Sequence, residues 1–307
     1  MDVMTVLGPV PAEDLGTTLP HEHVFLDLVR EYRGDGLLND PVLAVAELQE
    51  YAAAGGRTLV DCTSGGLGRD PRALVDVARQ TGLNIVMGCG WYRDPYLPDE
   101  LDRLSVDALA ELVVQDIEEG VDGTGVRAGV IGEVGADRAW ISAREERSFR
   151  AAARAHHRTG LTISTHAARW PVGLPQLDLL AEEKVDPHRV VVGHCDMVPD
   201  PGYHLALARR GAWVEFDTVH GESEYDVRSR VAWIRNLADH GHLDQVLLSQ
   251  DVCLRSDLRA TGGPGYAYVV TRFAEVLRDA GFGEDHLHLL LVDNPRRALT
   301  GEWAGTA

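Results

Sequence analysis

The chain has 307 residues, which allows two ordinary domains or one α/β barrel with decoration. Hydrophobic residues make up 45% and charged residues 25%, a mixture that excludes disorder for most of the chain. The 29 Lys and Arg against 48 Asp and Glu give a formal net charge of −19, which argues against nucleic-acid binding. Because we find neither a secretory signal nor an apolar run of about 18 residues, we expect a cytoplasmic protein without a membrane partner.

Strand-like and helix-like segments alternate along the chain. Amphipathic stretches with helical spacing separate the β-rich runs, and a doubly wound open sheet would need a glycine-rich phosphate loop that we do not find after the first run. The pattern therefore predicts a (β/α)8 TIM barrel. We predict one domain over 1–307, with 1–16 as an N-terminal lead-in and 302–307 as a loose tail. The predicted strands are 17–24, 57–63, 84–91, 128–135, 161–167, 190–196, 213–219 and 246–252, and the clearest helices are 41–54, 71–81, 106–119, 143–159 and 225–239.

Residues that commonly bind metal ions lie at the same end of five predicted strands. One such histidine alone is more often a hydrogen-bonded core residue, but four at equivalent positions favour a metal site. Residues i and i+2 of a strand point the same way, so the side chains of His21 and His23 can bind one ion. Imidazole and carboxylate suit zinc, manganese, cobalt or iron, and six ligands exceed one tetrahedral ion, which suggests two metal ions bridged by a carboxylate. The candidates are His21, His23, Glu133, His166, His194 and Asp251.

The segment GTTLPHEH at 16–23 resembles the opening signature of the phosphotriesterase-related proteins of the amidohydrolase superfamily. Segments 88–92, 249–251 and 262–266, together with the histidines that end the fifth and sixth strands, match further family segments in order. The resemblance covers nearly the whole chain and implies a distorted, amidohydrolase-like barrel with a binuclear centre. It implies that one buried metal ion is bound by His21, His23 and Asp251, and a more exposed one by His166 and His194.

The chain departs from this family at the bridging position. Many members bridge the two metal ions with a carbamylated lysine on the fourth strand, where this sequence has Glu133. Lys184, the only lysine, lies beyond the fifth strand. We therefore expect Glu133 to bridge the metal ions directly and the activity to be independent of bicarbonate. The same substitution occurs in a subset of relatives that includes proteins that look like amide hydrolases.

The resemblance implies a metal-dependent hydrolase that acts on a small-molecule substrate, and by analogy a homodimer. We expect metal-activated water to attack a carboxylic ester or lactone, while Asp251 accepts its proton. Tyr92 either donates a hydrogen bond to the substrate or packs on the rim. An amidase acting on an N-acyl amino acid-like substrate, with promiscuous phosphotriesterase activity, is the alternative; a metal-dependent lyase and a non-catalytic binding barrel are the others. The candidate substrate contacts are Arg169, Trp170, Arg255 and Trp91.

Overall fold

This computed structural model describes residues 1–220 and 223–302, so 303–307 of the expected tail lie outside the described residues. The described residues contain one sheet of eight strands, in which each strand pairs in parallel with the next along the chain. The predicted (β/α)8 barrel is confirmed. The barrel strands are β1 (Thr18–Glu22), β2 (Thr58–Asp61), β3 (Asn84–Cys89), β4 (Val130–Gly135), β5 (Ile163–His166), β6 (Val190–Gly193), β7 (Trp213–Phe216) and β8 (Val246–Leu248).

Most strands are shorter than the β-rich runs that predict them, because the chain turns away where the polar residues begin. β6 stops before His194, whose φ is 57°, and β8 stops before Asp251, whose φ is 50°. Both values lie in the left-handed region, which a strand does not use. His194 and Asp251 therefore lie in the turns at the C-terminal end of the barrel rather than in the ladder.

Helices follow the strands and cover the outside of the barrel. Asp40 and Asp70 cap α2 and α3, since each side chain accepts two backbone N–H groups of the first turn, and a proline occupies the first helical position. The helices are α1 (Val29–Tyr32), α2 (Pro41–Ala53), α3 (Pro71–Thr81), α4 (Glu100–Arg103), α5 (Val106–Glu118), α6 (Ala143–Thr159), α7 (Gly173–Glu182), α8 (Pro201–Arg209), α9 (Glu224–Asp239), α10 (Ala274–Asp279), α11 (Glu284–His288) and α12 (Asn294–Thr300). None of the described helices is both long and apolar enough to cross a membrane.

The N-terminal end of the barrel is filled with apolar side chains. The N-terminal hairpin pairs Asp2–Thr5 with Gly8–Pro11. Its Val3 packs in one buried cluster with Val60 of β2 and Val130 of β4. This end therefore forms part of the core, and the C-terminal ends of the strands remain available for a site.

Candidate metal centre

The structure brings together the six residues that the sequence predicts as ligands. His21 lies on β1, Glu133 on β4 and His166 at the end of β5. His194 directly follows β6, and the remaining two residues, His23 and Asp251, lie just beyond β1 and β8. Two groups of potential ligand atoms share Glu133: one with His21 and His23, the other with His166 and His194.

The carboxylate of Glu133 lies at the centre of this cluster. Its Oε2 atom is 2.9 Å from Nδ1 of His166 and 3.2 Å from Nε2 of His194. The same oxygen is 3.7 Å from Nε2 of His21, and Oε1 is 3.5 Å from Nε2 of His23. One carboxylate therefore faces both pairs of imidazoles.

Asp251 lies at the side of the cluster that opens into the cavity. Its Oδ1 atom is 3.2 Å from Nε2 of His23 and 3.9 Å from Nε2 of His21. The side chain is 15% exposed, whereas that of Glu133 is 3% exposed. Asp251 is therefore the carboxylate of the centre that a substrate can most easily approach.

Two carboxylates, Glu215 on β7 and Asp217 directly after it, are hydrogen-bond partners of the outer ring nitrogens of two histidines. Nδ1 of His21 is 3.0 Å from Oε2 of Glu215, and Nδ1 of His194 is 2.8 Å from Oδ1 of Asp217. Both carboxylates are fully buried. A hydrogen bond of this kind fixes the orientation of a ligand imidazole and increases its basicity.

The other two histidines are also bonded through their second nitrogen. Nδ1 of His23 is 2.9 Å from Oγ1 of Thr63, and Nε2 of His166 is 3.4 Å from the hydroxyl of Tyr92. All four imidazoles therefore direct one nitrogen towards Glu133 and the other towards a protein partner. This division suits ligands of a metal ion.

The residues present fit divalent metal ions. Nε2 of His21 is buried and has no hydrogen-bond partner among the described residues, although burial of an unpaired polar atom is costly. Imidazole nitrogens and carboxylate oxygens are the ligand types that zinc, manganese, cobalt and iron accept. Coordination would give this nitrogen the partner that it lacks.

The ionisation of Glu133 and His166 suits metal binding, whereas nearby carboxylates raise the pKa of His21, His23 and His194 against the effect of burial. Burial opposes the charge on Glu133, but His166 and the hydrogen bonds from His166 and His194 outweigh it and hold the pKa of Glu133 well below its usual value. Burial lowers the pKa of His166 to about 4 in spite of Glu133. A carboxylate and a neutral imidazole are the forms that bind metals.

A cavity of about 870 Å³ opens above the cluster. Tyr92, Arg169 and Trp170, three of the candidates for catalysis or substrate contact, line it. Trp91 instead lines a separate cavity beside α5, and Arg255 lies at a small cavity next to α2. The structure therefore does not bring Trp91 and Arg255 to the cavity that the metal centre shares.

Sequence reasoning missed these two carboxylates at β7 and its C-terminal end, although a signal was present. Glu215 and Asp217 stand two positions apart in the predicted strand 213–219, whose other residues are mostly apolar. This spacing places both side chains on one face of the strand, and a buried pair of acidic groups needs partners. Arg30 and Arg138 of the cavity wall gave no comparable signal, because Arg30 lies on the four-residue helix α1 and Arg138 in a loop.

The comparisons with known proteins agree with this geometry. The phosphotriesterase family matches residues 1–299. The chain is 39% identical over 281 residues to a phosphotriesterase homology protein of Escherichia coli, covering 91% of this chain and 96% of that protein. It is 30% identical over 342 residues to an N-acetyltaurine hydrolase of Tetraodon nigroviridis, covering 97% of both.

Two solved structures share the fold over almost their whole length. The E. coli phosphotriesterase homology protein, complexed with phosphate in its active site, superposes with a TM-score of 0.90 at 38% identity, covering 93% of this chain and 99% of that chain. A lactonase of Listeria monocytogenes superposes with a TM-score of 0.91 at 29% identity, covering 99% of this chain and 100% of the other. This chain therefore belongs to the phosphotriesterase family and is a metal-dependent hydrolase.

Proposed function

We propose that this protein is a binuclear hydrolase that cleaves a carboxylic ester or lactone. The observation that carries the proposal is the position of the Glu133 carboxylate between the His21–His23 pair and the His166–His194 pair. The similarity to the Listeria lactonase supports this choice of substrate. Zinc is the proposed metal, and the homodimer stays a prediction.

These contacts support the assignment of ligands that the family resemblance implies. His21, His23 and Asp251 would hold one ion, and His166 and His194 the other, with Glu133 shared between them. When bound, such ions polarise the acyl oxygen of a substrate and make water a stronger acid. Four imidazoles with fixed outer nitrogens would keep both positions in place.

Two side chains at the cavity would act on the substrate directly. Asp251 is placed to take the proton of the attacking water and return it to the leaving group. The pKa of Tyr92 is raised well above its usual value by burial and by the charge of Glu133, so its hydroxyl keeps its proton. Tyr92 can therefore donate a hydrogen bond to the substrate oxygen.

The test combines metal analysis with an Asp251→Asn variant. We expect two metal ions per wild-type chain, and a decrease in kcat of about 10²–10⁴-fold in the variant, the usual contribution of general acid–base catalysis. Cleavage of a lactone in ¹⁸O-labelled water should place the label in the acid product. One metal ion per chain, near-normal turnover of the variant or an unlabelled product would each contradict the proposal.

Amide hydrolysis of an anionic N-acyl compound is a second candidate, because the cavity wall carries excess positive charge. Arg93 binds Glu31 and Asp137, which leaves neither carboxylate unpaired. Arg230 binds Asp196 in the same way, through a contact of 2.7 Å. Apart from the two carboxylates of the metal centre, these are all the acidic residues of the described cavity wall.

Three more arginines of this wall are exposed: Arg30, Arg138 and Arg169. Arg138 approaches only Asp137, which Arg93 already binds, at 3.5 Å. Arg30 and Arg169 form no ion pair within residues 1–220 and 223–302. Positive charge at the mouth of a cavity in a chain of net charge −19 favours an anionic substrate. The similar N-acetyltaurine hydrolase is named for such a substrate.

A matched pair of substrates tests this second candidate. We expect N-acetyl-β-alanine to be hydrolysed with a higher kcat/KM than the neutral N-acetyl-β-alaninamide. Arg169→Gln should lower kcat/KM for the anion by about 10-fold or more, since hydrogen bonds to charged groups contribute about 1.5–3 kcal/mol. Arg79→Gln, on α3 and 68% exposed, is the control that should change neither value. Equal rates for both substrates would eliminate the preference for anions.

A further inference from the structure

Glu22 lies between two metal-ligand histidines in the sequence, but its own carboxylate has different contacts. It is fully buried. Its Oε1 atom accepts hydrogen bonds from the Ser249 hydroxyl at 2.7 Å and the Gln250 amide at 2.8 Å. Its Oε2 atom accepts the Val252 amide at 2.9 Å. The carboxylate therefore holds the chain on both sides of Asp251.

These contacts lie at the seam where the barrel closes. The eight-stranded sheet runs from β1 to β8, and no regular ladder joins these two strands to each other in the described residues. Instead, the His21 amide donates to the Ser249 hydroxyl at 3.1 Å, and the Asp251 amide donates to the His21 carbonyl at 3.2 Å. The amides of residues 250, 251 and 252 are thus all accepted by residues 21 and 22.

Asp251 needs such support because of its backbone conformation. Its φ of 50° is unusual for a residue with a side chain, and such a conformation persists when the surrounding contacts enforce it. The Gln250 side chain adds a further anchor, since its Oε1 atom accepts the Val269 amide at 2.7 Å. Glu22 bonds both neighbours of Asp251 in the chain.

We propose that Glu22 is a positioning residue, which holds the turn at 249–252 so that the Asp251 carboxylate faces the metal centre. This inference rests on the proposed function for the role of Asp251. Without the three hydrogen bonds of Glu22, the turn would be linked to β1 by its two bonds to His21 alone. Oδ1 of Asp251 would then no longer be fixed 3.2 Å from Nε2 of His23. Glu22 itself would touch neither substrate nor metal ion.

The first experiment uses Glu22→Gln, which keeps the size of the side chain but directs an amide N–H₂ at a backbone N–H. Loss of an outer partner of a metal site typically costs about 10–100-fold in metal affinity or activity. We therefore expect the variant to hold fewer zinc ions per chain than the wild type after equilibration at the same limiting zinc concentration. Elemental mass spectrometry measures both. With p-nitrophenyl butyrate as the probe, kcat should fall by about 10–100-fold, with KM changed by less than about 3-fold. Ser249→Ala removes one of the three hydrogen bonds of Glu22 and also the acceptor of the His21 amide. It should show the same changes to a smaller extent, because the Gln250 and Val252 amides keep their acceptor.

Glu47→Gln is the matched control. Glu47 is also a buried glutamate, and its carboxylate accepts the backbone amides of Arg259 at 2.9 Å and Ala260 at 2.8 Å. It lies on α2 and does not line the cavity. If the role of Glu22 is to position Asp251, Glu47→Gln should lower the melting temperature and leave zinc content and kcat unchanged. Equal losses in both variants, or full zinc content and normal kcat in Glu22→Gln, would overturn the inference.

Hydrogen–deuterium exchange separates this inference from the proposed function. Glu22→Gln should accelerate exchange at the amides of residues 250–252, whereas Glu47→Gln should leave it unchanged. If the wild-type protein bound no metal ion, the proposed function would be wrong. The exchange rates at residues 250–252 would still show whether Glu22 holds this turn. If the amides of residues 250–252 exchange as slowly in Glu22→Gln as in the wild type, the proposed role of Glu22 is overturned.

Discussion

A buried imidazole has two nitrogens to satisfy, and the four histidines of this centre divide them in the same way. His21 directs Nδ1 to Glu215, and His194 directs Nδ1 to Asp217, which leaves Nε2 of each ring facing Glu133. Because the outer bond fixes the ring, the inner nitrogen is placed before any ion arrives. Preorganisation of this kind reduces the cost of ordering ligands on binding.

Tyr92 is the residue at which packing and catalysis can be separated. Its ring lies beneath the Arg93 guanidinium, 4.8 Å from the ring centroid, and its hydroxyl faces His166. Tyr92→Phe keeps the ring, so we expect kcat to fall by about 10²-fold, the cost of removing one oxyanion donor, with the melting temperature unchanged. Tyr32→Phe, at the mouth of the same cavity, is the control. Steady-state kinetics that match the wild type would assign Tyr92 to packing alone.

The strands of the barrel approach each other closely where glycine replaces a side chain. A Cβ atom at Gly88 of β3 would lie 2.2 Å from the carbonyl oxygen of Gly132, and one at Gly132 of β4 would lie 2.2 Å from that of Ser164. Both distances are far below contact between atoms. Gly132 also has a φ of 133°. Glycine at this position therefore allows β4 to bring Glu133 to the centre.

Gly132→Ala tests this strand geometry. The added methyl group should push β4 from β5, lower the free energy of unfolding by about 1–3 kcal/mol, as overpacking commonly does, and reduce the bound metal. Chemical denaturation and metal analysis measure the two effects. Gly34→Ala is the control, because an added Cβ there meets nothing within 4 Å and φ is not in the left-handed region. A Gly132→Ala protein with wild-type stability would show that the strands can separate without cost.

At the scale of the whole molecule, the metal centre joins distant parts of the chain. Its candidate ligands come from β1, β4 and β5 and from the turns after β1, β6 and β8, so ions bound there would link most of the barrel. A ligand that binds only the folded state at a thousand times its dissociation constant stabilises that state by about 4 kcal/mol. The folded protein should therefore depend on its metal ions for stability.

Removal of metal with a chelator should lower the melting temperature by an amount of the order of 10 °C, which follows from about 4 kcal/mol in a domain of this size. Differential scanning calorimetry before and after dialysis against 1,10-phenanthroline measures the change. Added zinc should restore the original value, and added magnesium should not, because imidazole ligands suit zinc better. A melting temperature that does not respond to the chelator would contradict a structural contribution of the metal ions.

The sequence predicts the barrel, and it predicts as ligands six residues that the structure brings together, because both depend on local patterns. Apolar runs with β-branched residues define the eight strands, and polar residues such as His194 and Asp251 follow them directly. In a parallel barrel all such residues meet at one end, so the topology alone brings them together. The predicted strands extend beyond the observed ones. Left-handed residues lie in the turns that follow β6 and β8.

The cavity wall depends on contacts between loops that are far apart in the sequence. Arg93 reaches Glu31 and Asp137, and these contacts set the path of three loops at the mouth of the cavity. No periodicity in the sequence shows which loop residues meet, and so Trp91 and Arg255 were expected at a cavity that they do not line. The amino-acid sequence by itself determined the fold and the types of metal ligand, because these follow from local spacing along strands. Only the tertiary structure decided which partners orient the histidines and which arginines line the cavity, because those contacts join segments that the chain order keeps apart.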